Sequence, residues 1–175
     1  LKITFLAGAF GAVALITLCG AAMAAEDGSG DPTAVTDEDG KFFDADGDPT
    51  FKIDADGSTD WYTYSGYRRY HSECHVCHGP AGEGSTYAPA LVQSLKTLPY
   101  TAFQDVVVNG RKNVGAGQES VMPSLGKNQN VMCYLDDIYI YLRARTNGAV
   151  DRARPAKHAD KPPAYAEAEN ACMGP

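Results

Sequence analysis

Basic side chains are scarce in this chain: 15 Lys and Arg stand against 22 Asp and Glu in 175 residues, a formal charge of −7. A chain of that sign has no electrostatic hold on nucleic acid. Long hydrophobic runs are also missing from its body. The one apolar stretch, Ile3 to Leu18, sits at the N-terminus behind Lys2. It is near the lower limit for a membrane span, and Ala22-Met23-Ala24 follows it with the small residues of a cleavage site instead of a basic stop-transfer flank. Residues 1–25 are therefore expected to be a secretory signal peptide, with membrane contact only if that segment is retained. Cys19 raises a lipid-attachment reading, but Leu18 before it is larger than such a site wants. A second pair of metal-spaced cysteines is absent as well. Beyond Cys19 there are only Cys74, Cys77, Cys133 and Cys172, which argues against a structural zinc site, and no βαβ pattern surrounds Cys74 and Cys77 to suggest a thioredoxin-like redox motif.

Cleavage near Ala25 leaves about 150 residues, the size of one compact domain with extensions. Charge is uneven along them. Glu26 to Asp60 holds twelve acids against Lys41 and Lys52, whereas Trp61 to Pro175 holds twelve bases against ten acids. This divides the chain into an acidic Asp/Gly-rich extension at 26–60, a domain at 61–146 and a Pro/Ala-rich tail at 147–175. The part from Glu26 to Thr36 has too little apolar surface to offset the entropy of ordering it and is expected to be mobile. Two units then place apolar residues before Asp-Ala-Asp-Gly, at Phe42–Gly47 and Phe51–Gly57. They read either as tight turns, for which Asp and Gly suit, or as a calcium site built from Asp44, Asp46, Asp48, Asp54 and Asp56; neither completes an EF-hand loop.

From Asp60 the pattern becomes helical, with Asp60 as cap and Trp61, Tyr64, Tyr67 and Tyr70 at spacings of three. A second helix is expected over Thr101–Val108, ended by Asn109-Gly110, then a long loop from Arg111 to Gln129. A last helix is expected from about Asn130 to Arg145, with Val131, Leu135, Ile138, Tyr141 and Leu142 on one face. In Cys74-His75-Val76-Cys77-His78 two thiols three residues apart reach one side of a helical turn, where they can add to haem vinyl groups, and the adjacent imidazole can ligate iron. The cofactor expected is one covalently bound haem c, with calcium as a lesser candidate. Cys133 and Cys172 are left over, and two free thiols do not persist in an oxidising compartment, so a disulfide is expected between them.

Gly66, Tyr70, Cys74-x-x-Cys77-His78-Gly79, Pro89, Met122-Pro123 and Ile138-x-x-Tyr141-Leu142 together resemble the class I cytochromes c over about Trp61 to Arg145. The run from Asp60 to His78, the two extra cysteines and the Asp-Gly-rich lead are similar, more narrowly, to the methanol-metabolism-related c-type cytochromes of methylotrophic bacteria. The resemblance implies an all-α fold in which the first and last helices cross at Gly66 and Tyr141 around one haem, with the acidic extension and a disulfide-pinned tail added. It also implies that the Pro89 carbonyl orients His78 and that Met122 ligates iron opposite it. Met132 and Met173 are packing candidates, and His71, His75 and His158 are more naturally surface or hydrogen-bonded residues than ligands. The function implied is single-electron transfer in the periplasm, from a dehydrogenase of one-carbon oxidation to a cytochrome or oxidase, with no catalytic residue. A haem enzyme or gas-binding protein with an open sixth position is the alternative, and a module bound permanently to one dehydrogenase is a third reading. The acidic extension is expected to steer partners or to lie over a basic surface at Arg143, Arg145, Arg152 and Arg154.

Overall fold

The computed structural model describes residues 28–115 and 118–174, so the expected signal segment lies outside the described residues. In chain order the elements are β1 (Thr36–Glu38), β2 (Lys41–Phe43), β3 (Pro49–Thr50), α1 (Trp61–Glu73) and α2 (His75–His78). After these come α3 (Leu91–Ser94), α4 (Tyr100–Asn109), β4 (Arg111–Gly115), β5 (Gln118–Met122), α5 (Gln129–Met132), α6 (Leu135–Thr146) and α7 (Pro163–Met173). The all-α expectation is thus corrected. The extension forms a three-stranded antiparallel sheet, β1-β2-β3, and the loop after α4 folds into a β4–β5 hairpin. The Phe-rich units of the extension make strand pairs because the intervening Asp-Ala-Asp-Gly segments close as turns. Asp44 Oδ1 accepts from the amides of Asp46 and Asp48, and Gly47 takes φ +84°.

Asp60 caps α1 as expected, its carboxylate accepting from the Thr63 amide at 2.8 Å. α1 crosses α6 at Gly66. A Cβ built there would lie 1.8 Å from the Asp137 carbonyl oxygen and 2.8 Å from Tyr141 Cβ, so only glycine permits the approach. Around the crossing, Tyr70, Leu95, Val131, Tyr139, Ile140, Tyr141 and Leu142 are fully buried. Each large apolar side chain so buried contributes roughly 1.5–3 kcal/mol. The expected last helix is interrupted at Cys133-Tyr134, where the chain turns from α5 into α6, and Cys133 there forms its disulfide with Cys172 (Cα–Cα 5.7 Å). The tail is a helix, α7, opened by Pro163 at its first position, where a missing N–H does no harm.

The expectation of a mobile lead is corrected from Gly28 onward. The Ser29 amide donates to the Leu95 carbonyl at 3.2 Å, Ser29 is buried, and Thr50 Oγ1 donates to the Pro32 carbonyl. Arg143 is not part of a basic surface either. It is wholly buried on α6, where it donates to the carbonyls of Pro49, Ser29 and Asp31 and to Asp44 Oδ2 at 2.6 Å. Four acceptors from the extension thus gather on one core arginine. Among the described residues no helix is long and apolar enough to cross a membrane.

Candidate haem centre

The last turn of α1 runs directly into α2. Cys74 donates its amide to the Tyr70 carbonyl and then accepts from the amides of Cys77 and His78 at 3.3 and 3.1 Å. This tight turn sets Cys74 and Cys77 side by side and His78 immediately after them. Both thiols are unpaired; Cys77 is exposed and Cys74 is half-buried against the core. Burial, then the nearby charges of Glu73 and Cys77, push the Cys74 thiol up to about 12.

His78 is buried, and its Nδ1 lies 3.0 Å from the Pro89 carbonyl oxygen. A carbonyl can only accept, so the proton sits on Nδ1 and the Nε2 lone pair is left for a metal. Two further contacts brace this loop. Tyr70 Oη donates to the Gly79 carbonyl, and the Gly84 amide donates to the His78 carbonyl at 2.7 Å. Ser85 Oγ also donates to the Cys77 carbonyl, a bridge that the spacing of the motif does not signal.

Met122 ends β5, opposite Arg111 in the hairpin register, and is half-buried against the core. The chain after it is fixed to the end of α4: Ser124 Oγ donates to the Val108 carbonyl, and the Leu125 amide donates to Val107 at 3.0 Å. Gly110, at φ +76°, allows this, since a Cβ there would lie 2.6 Å from the Met122 carbonyl oxygen. The other His and Met residues lie as follows. His71 Nδ1 bonds the Tyr67 carbonyl, His75 stacks on His71, and His158 stacks on Tyr64 at 3.7 Å. Met132 packs against the core and Met173 ends α7. Of the proposed calcium ligands, Asp44 is committed to Arg143 and to its own turn, and among the described residues no three acidic, His or Cys groups gather as a metal site.

Leu91, Leu98, Val108, Met122 and Leu125 all pack on the core yet stay only half-buried. Apolar side chains left half-buried in that way, together with a histidine with one free ring nitrogen and two unpaired thiols, fit a porphyrin joined to the chain.

No family model matches the chain. It is 56% identical to the solved c-type cytochrome XoxG from Methylobacterium extorquens AM1, with a TM-score of 0.76, covering 81% of this chain and 86% of that one. The chain belongs to the class I c-type cytochromes. It also matches cytochrome c-553I of Paracoccus denitrificans, 48% identical over 78% of this chain, and spans 60% of that relative's length. With cytochrome c-555 of Methylococcus capsulatus it is 38% identical, over 57% of this chain and 72% of the relative. This cytochrome accordingly carries one covalent haem c.

Proposed function

We propose that the cytochrome is a periplasmic single-electron carrier, taking electrons from a quinoprotein dehydrogenase of methanol or related one-carbon oxidation and passing them to another cytochrome or an oxidase. In this reading Cys74 and Cys77 form thioethers with the haem, His78 and Met122 are the axial ligands, and Pro89 positions His78. The bound haem supplies one-electron chemistry at its iron. The observation that carries the reading is the buried His78 ring, protonated on the nitrogen facing Pro89 and so oriented by the chain before any ligand is engaged. Pinning of Met122-Pro123 to α4 supports a thioether that stays in place in both oxidation states. Exposure of Val76 and Tyr87 offers uncharged side chains that a redox partner can cover.

The test is Met122→Ala in the holoprotein. It should lower the reduction potential, abolish the sulfur-to-iron charge-transfer band and create carbon monoxide binding that the parent lacks. Ready carbon monoxide binding by the parent would instead favour the haem-enzyme or gas-binding reading. Steady-state reduction by candidate dehydrogenases then tests the donor.

A further inference from the structure

A carboxyl group is buried at the α1–α6 crossing. Asp137, on α6, is 4% exposed. Its Oδ2 lies 2.7 Å from Tyr165 Oη on α7, which lies 2.6 Å from Ser65 Oγ on α1. Three helices thus meet in one hydrogen-bonded chain. A cavity of about 210 Å3 opens beside it, lined by Lys41, Tyr62, Tyr134, Asp136, Tyr165 and Glu169 among others.

The surrounding charges do little to hold an anion there. On α6 Asp136 is a like charge, already bound to Lys41 of β2 and to Tyr100 of α4. On α7 Glu169 is taken by Arg69, Lys161 and Tyr134. Tyr62 and Ser65 of α1 are uncharged, so Lys41 is the cation favouring ionised Asp137.

We propose that Asp137, Tyr165 and Ser65 form a proton-binding latch that holds α7 over the α1–α6 crossing while Asp137 is neutral and lets it swing out on the Cys133–Cys172 tether when the proton leaves. In the neutral state Asp137 can donate to Tyr165, and Tyr165 to Ser65. Loss of the proton reverses both bonds and leaves a carboxylate held by neutral hydroxyl groups alone in a desolvated place, which favours opening toward the cavity. Burial is the main cause that pushes this carboxyl up to about 7, against the lowering contributions of Ser65, Tyr165 and Lys41. Opening would uncover the faces of Trp61 and Tyr62, whose rings lie 5.7 and 5.0 Å from that of Tyr165.

The sign follows from linkage. An acid raised when closed and ordinary when open keeps the latch shut below its ordinary range, and closure weakens as pH rises toward the raised value. Amide protection of 163–173 in the oxidised holoprotein, corrected for intrinsic exchange, should fall by about tenfold per pH unit between roughly pH 4.5 and 6.5 and level off above roughly 7. A protonated-carboxyl infrared band should vanish over the higher part of that range. Asp137→Asn should lack the band and remove the pH dependence while leaving the haem spectrum unchanged. Tyr165→Phe should keep the band and lower protection of α7 at every pH. Equal pH dependence in the parent and Asp137→Asn, or no Asp137 band in the parent at pH 5, would overturn the latch; should Asp137→Asn fail to fold, the parent band and Tyr165→Phe decide it.

Discussion

Arg143 and Asp44 offer the most demanding test of how the extension is attached. Their side chains are 0% and 2% exposed and 2.6 Å apart, so neutralising one leaves the other charge in the interior without a counterion. Breaking such a pair typically destabilises by about 3–5 kcal/mol. Asp44→Asn keeps the shape and an oxygen for the turn amides, and the carbonyls of Pro49, Ser29 and Asp31 still accept from Arg143, so the lower end, about 3 kcal/mol, is expected. For a domain of this size that is a fall in Tm of roughly 6–12 °C. Asp44→Ala should cost more, since it also strips the acceptor from the Asp46 and Asp48 amides. The assay is denaturant unfolding of the holoprotein, followed by haem absorbance and far-ultraviolet circular dichroism, with coincidence of the two curves as the check on cooperativity. Arg143→Met combined with Asp44→Asn closes a double-mutant cycle, and the coupling should exceed about 2 kcal/mol. A loss below about 1 kcal/mol for Asp44→Asn, or coupling near zero, would refute the view that this pair fastens the extension to the core.

Gly66→Ala should lower stability by about 3 kcal/mol or prevent haem loading, because the new methyl would meet the Asp137 backbone, which cannot turn aside; yield of haem-bound protein and Tm measure it. Cys172→Ser should lower stability by roughly 3–4 kcal/mol, appropriate to the 39-residue separation of the disulfide, while the haem spectrum is unchanged. Replacing exposed Asp37, Glu38 and Asp39 with their amides should leave Tm and potential unchanged and flatten the salt dependence of electron exchange with a protein partner; an unaltered salt dependence would remove the extension from partner steering. Substitution is the proper form of that test, because deleting 26–37 would also remove two carbonyls that bind Arg143.

The attachment turn was legible because its chemistry is local: two thiols and an imidazole must fall within one turn, so their spacing survives in the sequence. The helix crossing was legible for a similar reason, since Gly66 is required by backbone contact and the facing apolar residues repeat with helical period. The β4–β5 hairpin reads as loop in the sequence, where Asn109-Gly110 signals only the end of the helix before it. What fixes it is the approach of Met122-Pro123 to Gly110 and α4, a tertiary contact with no period of its own.

Arg143 and Asp137 were hidden for a deeper reason. Charged residues near a helix end are normally solvated, and no local pattern says that partners arrive from more than 90 residues upstream or from 28 residues downstream. Their placement shows what the extension and tail do to α6. In this molecule one helix faces α1 through the Asp137 backbone and Tyr141, the extension through Arg143, and α7 through the Asp137 side chain. The two polar attachments differ in kind. Arg143 is matched by a buried carboxylate and three carbonyls, so separating the extension would leave both charges needing solvent. Asp137 is matched only by the neutral hydroxyls of Tyr165 and Ser65, and a change of one proton is enough to alter whether burial favours it. The extension is therefore expected to be the fixed attachment and α7 the yielding one, an order that hydrogen exchange can read directly from 28–50 and 163–173 in the same sample.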